Sequence, residues 1–154
     1  MNQFSTLNLP PYAPRLRKEA DGSMQIYDDL RRRWLNITPE EWVRQHFCHY
    51  LTDTLGYPPA LLGNEISLQV GGVTRRCDTV LYHSGTTRPR MIVEYKAPHI
   101  RITESVFTQI QSYNSVLRAD YLVVSNGINH YCCRMDYDTQ TVTYLTQLPE
   151  YKQL

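Results

Sequence analysis

The sequence predicts an α/β fold, with a mixed central sheet flanked by helices and a C-terminal β meander. Three observations carry the prediction. Helical periodicity appears around 38–55 and 103–117, period-two alternation fills the stretches between and after, and Tyr121-Leu122-Val123-Val124 is a continuous apolar run. A run of that kind suits a strand buried on both faces of a sheet.

Taken in chain order, residues 1–26 form an N-terminal arm with Pro10, Pro11 and Pro14 and little periodicity. Residues 27–154 then form a single domain, a length that buries one core and is too short for two ordinary domains. IYDDLRRRWLNI reads as a short helix or an irregular lead-in. Thr38-Pro39-Glu40-Glu41 is a helix start, with Thr38 at the N-cap, Pro39 at the first helical position and Glu41 closing a capping box. That helix carries Val43, Phe47, Tyr50, Leu51 and Thr54 on one stripe and ends at Gly56-Tyr57-Pro58-Pro59. Glu65 to Val70 and Arg75 to Tyr82 alternate as strands about a Gly71-Gly72 turn, and Met91 to Lys96 is a third strand stopped by Pro98. Thr103 to Leu117 is the second helix, with Val106, Phe107, Ile110, Tyr113 and Leu117 on its apolar side. Asn126-Gly127 marks a tight turn, and two last strands near 129–135 and 141–146 close the meander.

The composition excludes several classes. With 42% hydrophobic and 20% charged residues, and no long apolar run, no segment is suited to span a bilayer. The first residues, MNQFSTLNLPPYAPRLRK, lack the basic-then-apolar order of a secretory signal, which places the protein in the cytoplasm. Cys48, Cys77, Cys132 and Cys133 form no CxxC pair and suit reduced thiols. His46 and His49 flank Cys48 on the first helix but lack further ligands at useful spacing, so metal binding there is not expected. A net charge of +1 does not by itself announce a nucleic-acid binder. Local clusters do better: Arg31-Arg32-Arg33, Arg75-Arg76, and Arg88, Arg90, Lys96 and Arg101 are placed to form a phosphate-facing patch.

The chemistry concentrates in the hairpin around the 83–89 loop. Pairing Tyr82 with Arg90 sets Val80 opposite Ile92, Asp78 opposite Glu94 and Arg76 opposite Lys96. Glu94 and Lys96, two apart in a strand, share a face. Neighbouring carboxylates repel unless a cation or a proton lies between them. A divalent metal compensates most simply, because magnesium takes oxygen ligands and often only one or two protein carboxylates. A purely structural hairpin would instead use Arg76 and Lys96 to neutralise one carboxylate each, and the spacing alone does not separate the two readings.

The surrounding order does. Thr38-Pro39-Glu40-Glu41-Trp42-Val43-Arg44-Gln45, Arg76-Cys77-Asp78, Glu94-Tyr95-Lys96-Ala97-Pro98, Gln109 to Asn114 and Ser125-Asn126-Gly127 together resemble the PD-(D/E)xK nuclease superfamily. The closer likeness is to the N-terminal nuclease domain of type I restriction enzyme R subunits, over roughly residues 27–150. The resemblance implies a restriction-endonuclease-like αβββαβ core and magnesium-dependent cleavage of DNA, with manganese as a substitute. It implies Asp78, Glu94 and the Tyr95 carbonyl as metal ligands and Lys96 as the catalytic lysine. A first-helix glutamate would complete the acidic cluster. Glu40 lies nearer the Val43–Phe47–Leu51 stripe and is preferred, since Glu41 is occupied as the capping-box residue. Gln109 and Tyr113 would line the cleft as supporting or DNA-contacting residues, alongside Arg76. Implied partners are DNA and either a second copy of the chain or a larger restriction-type complex. Tyr95 departs from the family, whose members favour a small residue there. No GxxxxGK(S/T) loop is present, so the translocase of a complete R subunit and any use of ATP are not expected. The rival reading is a non-catalytic module that keeps the fold and binds or recruits nucleic acid.

Overall fold

Thr38 and Pro39 start the first helix by ordinary capping chemistry. Thr38 is extended (φ −104°, ψ 163°) and its hydroxyl accepts the Glu41 N–H at 3.0 Å, while Pro39 occupies a position that needs no N–H. The computed structural model describes residues 4–154, apart from the side chains of Val70, Val73, Ser112, Tyr113, Ser115 and Val116. Helix α1 spans Pro39–His49 and passes into one π-helical turn, Tyr50–Thr54, before Gly56 leaves it at φ +76°.

Upstream of α1 the structure differs from the expected helix or irregular lead-in. Strands β1 (Leu16–Lys18), β2 (Met24–Asp28) and β3 (Arg33–Asn36) form a three-stranded antiparallel sheet. The reason is local. Ile26 and Asp28 are fully buried while Gln25 before them and Tyr27 between them are only partly so, a period of two. Asp28 accepts the N–H groups of Leu30 and Arg31, and Arg32 adopts φ +53°, which together turn the chain back on itself. Phe4 and Ser5 lie against α1: Phe4 stacks on Trp42 at 4.5 Å, and the Trp42 indole donates to the Ser5 carbonyl at 3.0 Å.

Strands β4 (Leu62–Val70), β5 (Val73–Tyr82), β6 (Pro89–Tyr95), β7 (Tyr121–Ser125), β8 (His130–Asp136) and β9 (Thr141–Leu145) lie side by side in chain order as a six-stranded sheet. β6 and β7 run parallel, joined by helix α2 (Glu104–Leu117), and the other neighbours run antiparallel. The sheet is therefore mixed, as predicted. Val43 and Phe47 of α1 and Leu51 of the π-helical turn pack on Met91, Val93 and Tyr95 from one side. Phe107 and Ile110 of α2 pack on Val80, Ile92, Leu122 and Val124 from the other. β7 is buried along its whole length, which accounts for its unbroken apolar run. Among the described residues no helix is long and apolar enough to cross a membrane.

Candidate active site

The site begins with a fault in two neighbouring strands. Residues two apart in a regular strand share a face, yet Thr79 bonds to Asn64 and Tyr95 on the α1 side while Cys77 packs in the cluster on the α2 side. The partner strand does the same, because Asn64 lies with Thr79 and Ile66 lies with Cys77. Both strands flip at Glu65 and Asp78. Glu65 has φ +55°, a left-handed conformation that costs a residue with a Cβ on the order of 1 kcal/mol. Two arginines hold its carboxylate: Arg44 grips one oxygen and Arg76 the other.

The expected register holds at its centre, where Val80 faces Ile92 and Thr79 faces Val93. It slips at the loop end, where Tyr82 pairs with Pro89 instead of Arg90 through an irregularity after Leu81. The ladder stops at Thr79, and the Tyr95 N–H turns to the Asp78 carboxylate at 2.9 Å. The same register sets Glu94 beside Asp78. Burial, followed by the Asp78 charge and a hydrogen bond to Asp78, pushes the Glu94 carboxyl up to about 8, and the nearby charges of Lys96 and Arg44 only partly oppose this. A hairpin in which Arg76 and Lys96 each neutralised a carboxylate would not do so. Arg76 has gone to Glu65 instead, and without a cation Glu94 keeps its proton near neutrality beside Asp78.

The α1 glutamate that turns inwards is Glu41, and Glu40 is exposed. The preference for Glu40 rested on Glu41 being spent on the cap, but only the Glu41 N–H serves Thr38. Its carboxylate receives Arg31 Nη2 at 2.7 Å, Arg44 Nη1 at 3.0 Å and Gln45 Nε2 at 3.2 Å. The inward face of α1 is also wider than one apolar stripe, because Phe4 and Ser5 cover Trp42 and so bring Glu41, Arg44 and Cys48 against the sheet.

Arg44 is the residue that sequence reasoning missed. It is 6% exposed and touches three carboxylates, those of Glu41, Glu65 and, at 3.6 Å from Oδ1, Asp78. These three charges hold its guanidinium above its ordinary range although burial works against them. Its place three residues after Glu41, on the same helix face, was the available signal. Glu65 gave none, since nothing in an alternating strand announces a left-handed residue.

Lys96 and Glu94 open onto a cleft of 150 Å³ that also receives Arg76, Val106, Gln109 and Ile110. Gln109 of α2 thus stands beside the pair, while the side chain of Tyr113 lies outside the described residues. On its other flank Arg76 meets a second cleft, of 470 Å³, with Arg31, Arg33, Glu40, Glu41 and Arg44 among its walls. The Tyr95 ring points away into the α1 core, 2% exposed, with its hydroxyl on Thr79 at 2.9 Å. Arg88 and Arg90, expected around the site, lie at the opposite end of β6. His46 bonds the Trp42 carbonyl, and His49 lies between Asp29 and Asp53. Among the described residues no three His, Cys, Asp or Glu side chains converge as a metal cluster, so a cation at this hairpin would draw on the Asp78–Glu94 pair and main-chain oxygen.

The family model described as the N terminus of type I restriction enzyme R proteins matches residues 39–149 of the 154-residue chain. No curated protein matches the chain.

Proposed function

Because the chain belongs to the family of type I restriction enzyme R protein N termini, a restriction-type nuclease module, we propose that it hydrolyses DNA phosphodiester bonds with magnesium held by Asp78, Glu94 and the Tyr95 carbonyl. One observation carries the reading: Asp78 and Glu94 stand together at the end of the central strands, where burial and the neighbouring Asp78 charge raise the Glu94 carboxyl, with an ammonium in the same cleft.

The donor set supports magnesium. All three donors are hard oxygens, the number of protein carboxylates is typical for this ion, and the charge the pair cannot otherwise neutralise favours a divalent cation. When bound, the ion would polarise a phosphoryl oxygen and lower the pKa of water. The chain's own groups have separate tasks. Glu94 releases the proton that burial makes it hold. Asp78 is kept in place by the Tyr95 N–H on one oxygen and by Arg44 near the other. Lys96 sets a positive charge where the pentavalent phosphate gains negative charge, a preorganised contribution whose loss typically costs about 10²–10³ in rate. Gln109 and Arg76 on the cleft wall are suited to hold the neighbouring phosphates.

The test is incubation of the chain with supercoiled and linear DNA in magnesium or manganese. The expected outcome is metal-dependent cleavage, lost in Glu94→Ala and reduced at least a hundredfold in Lys96→Ala. Uncut DNA with the wild type, or equal cutting by the variants, contradicts the proposal. Metal-indifferent DNA binding without cutting would instead favour the recruiting module.

A further inference from the structure

Arg88 and Arg90 line a further cleft, of 670 Å³, at the end of the sheet remote from Glu94. Two more arginines from distant parts of the chain join them, Arg118 after α2 and Arg134 on β8. The strands bring them together: Met91 pairs with Tyr121, Tyr121 with Arg134, and the Asp120 N–H donates to the Arg90 carbonyl at 2.9 Å. Four residue steps of extended chain lead from Arg90 to Glu94, roughly 13 Å at the usual rise.

The carboxylates in this cleft are largely committed. Asp120 takes His83 at 3.0 Å and Arg88 at 3.8 Å. Asp136 accepts the N–H groups of Asp138 and Thr139, at 3.0 and 3.1 Å, to close the β8–β9 turn. Asp138 stands exposed on the rim. Arg90, Arg118 and Arg134 form no ion pair within 4.0 Å among the described residues. Arg118 is nonetheless aimed. It has a left-handed φ of +53°, and its guanidinium sits over the Tyr137 ring at 4.4 Å, a ring anchored by Asn114 at 2.7 Å. Arg90, Arg118 and Arg134, none within 4.0 Å of a carboxylate among the described residues, converge with Arg88 on one open polar cleft whose walls also carry Asp120, Asp136 and Asp138, with Arg134 near enough to Asp136 to add to the Thr139 N–H bond in lowering its pKa.

We infer that this cleft is a second DNA-binding surface, holding the phosphodiester backbone of a segment beyond the one at Asp78 and Glu94. A backbone suits it better than a free nucleotide, because the floor is polar and open and offers no enclosed apolar slot for a base. Guanidiniums match phosphate in geometry and release counterions when they meet it. The inference rests on the nuclease reading above, and its test separates the two.

Duplex binding by the full chain is measured in chelator, by fluorescence anisotropy over a range of salt concentrations. The double variant Arg118→Asn and Arg134→Gln keeps a residue that tolerates the left-handed cap and changes only exposed side chains. The expected result is an affinity loss on the order of tenfold and a salt slope shallower by about 2, with cleavage at saturating DNA and the melting temperature unchanged. Wild-type affinity and slope in the folded variant overturn the second surface and leave the cleavage proposal standing. Displacement of the duplex by a stoichiometric nucleoside triphosphate overturns it in favour of a small-molecule site. Absence of DNA binding by the wild type in chelator overturns the second surface and leaves the metal-dependent cleavage proposal to its own assay.

Discussion

Glu94 makes the site sensitive to pH even before any substrate is considered. Its carboxyl is pushed from 4.5 up to about 8 in the folded chain, chiefly by burial, so the native state keeps a proton that the unfolded chain has released. A raised folded pKa contributes stability that is complete below about 4.5 and is lost as pH rises towards 8. Thermal melting in chelator is therefore expected to fall across that window, and Glu94→Gln, neutral at every pH, is expected to flatten the fall and melt above the wild type at pH 8. A parallel profile for the variant would contradict a proton retained by Glu94. Arg44 provides a second test at this scale. Arg44→Ala leaves Glu41 buried without a main counter-charge and is expected to cost about 3–5 kcal/mol, read from urea unfolding. A change below 1 kcal/mol would show that the guanidinium does not hold the acidic cluster together.

At the scale of elements, the sequence was most legible where local chemistry and tertiary packing agree. Thr38 and Pro39 announce α1, Met91-Ile92-Val93 announces β6, and Tyr121 to Val124 announces the doubly covered β7. Asp78 beside Glu94 was legible too, since it follows from counting residues across one hairpin. Three things were not. β2 and β3 replaced an expected short helix or irregular lead-in because Asp28 caps the Leu30–Arg31 turn, a contact that three consecutive arginines obscure. Glu41 took the inward place expected for Glu40 because the N-terminal arm covers Trp42 and redefines which face of α1 is internal. The flip at Glu65 depends on two arginines from other elements, so no local pattern encodes it. The cap remains measurable: Thr38→Ala is expected to lower stability by about 1 kcal/mol, since its hydroxyl is what holds the Glu41 N–H. An unchanged unfolding midpoint would mean that packing alone fixes this end of α1.

For the molecule as a whole, the six-stranded sheet acts as a spacer with a function proposed at each end. Glu94, Lys96 and the β7–β8 turn lie at one end, and at that turn Gly127 adopts φ +84° where a Cβ would approach Leu7 to 2.7 Å. The arginine cleft lies at the other end. Gly127→Ala is expected to displace the arm and destabilise the fold by about 1–3 kcal/mol, checked by melting, and native stability would contradict the close approach. The central claim is that Asp78 and Glu94 together hold a divalent cation. Calorimetric titration of magnesium or manganese near pH 7, repeated in buffers of different ionisation enthalpy, tests it most directly. The account predicts one cation per chain, release of the proton held by Glu94, and loss of both signals in Asp78→Asn. Absence of binding, or binding that Asp78→Asn leaves unchanged, would contradict it.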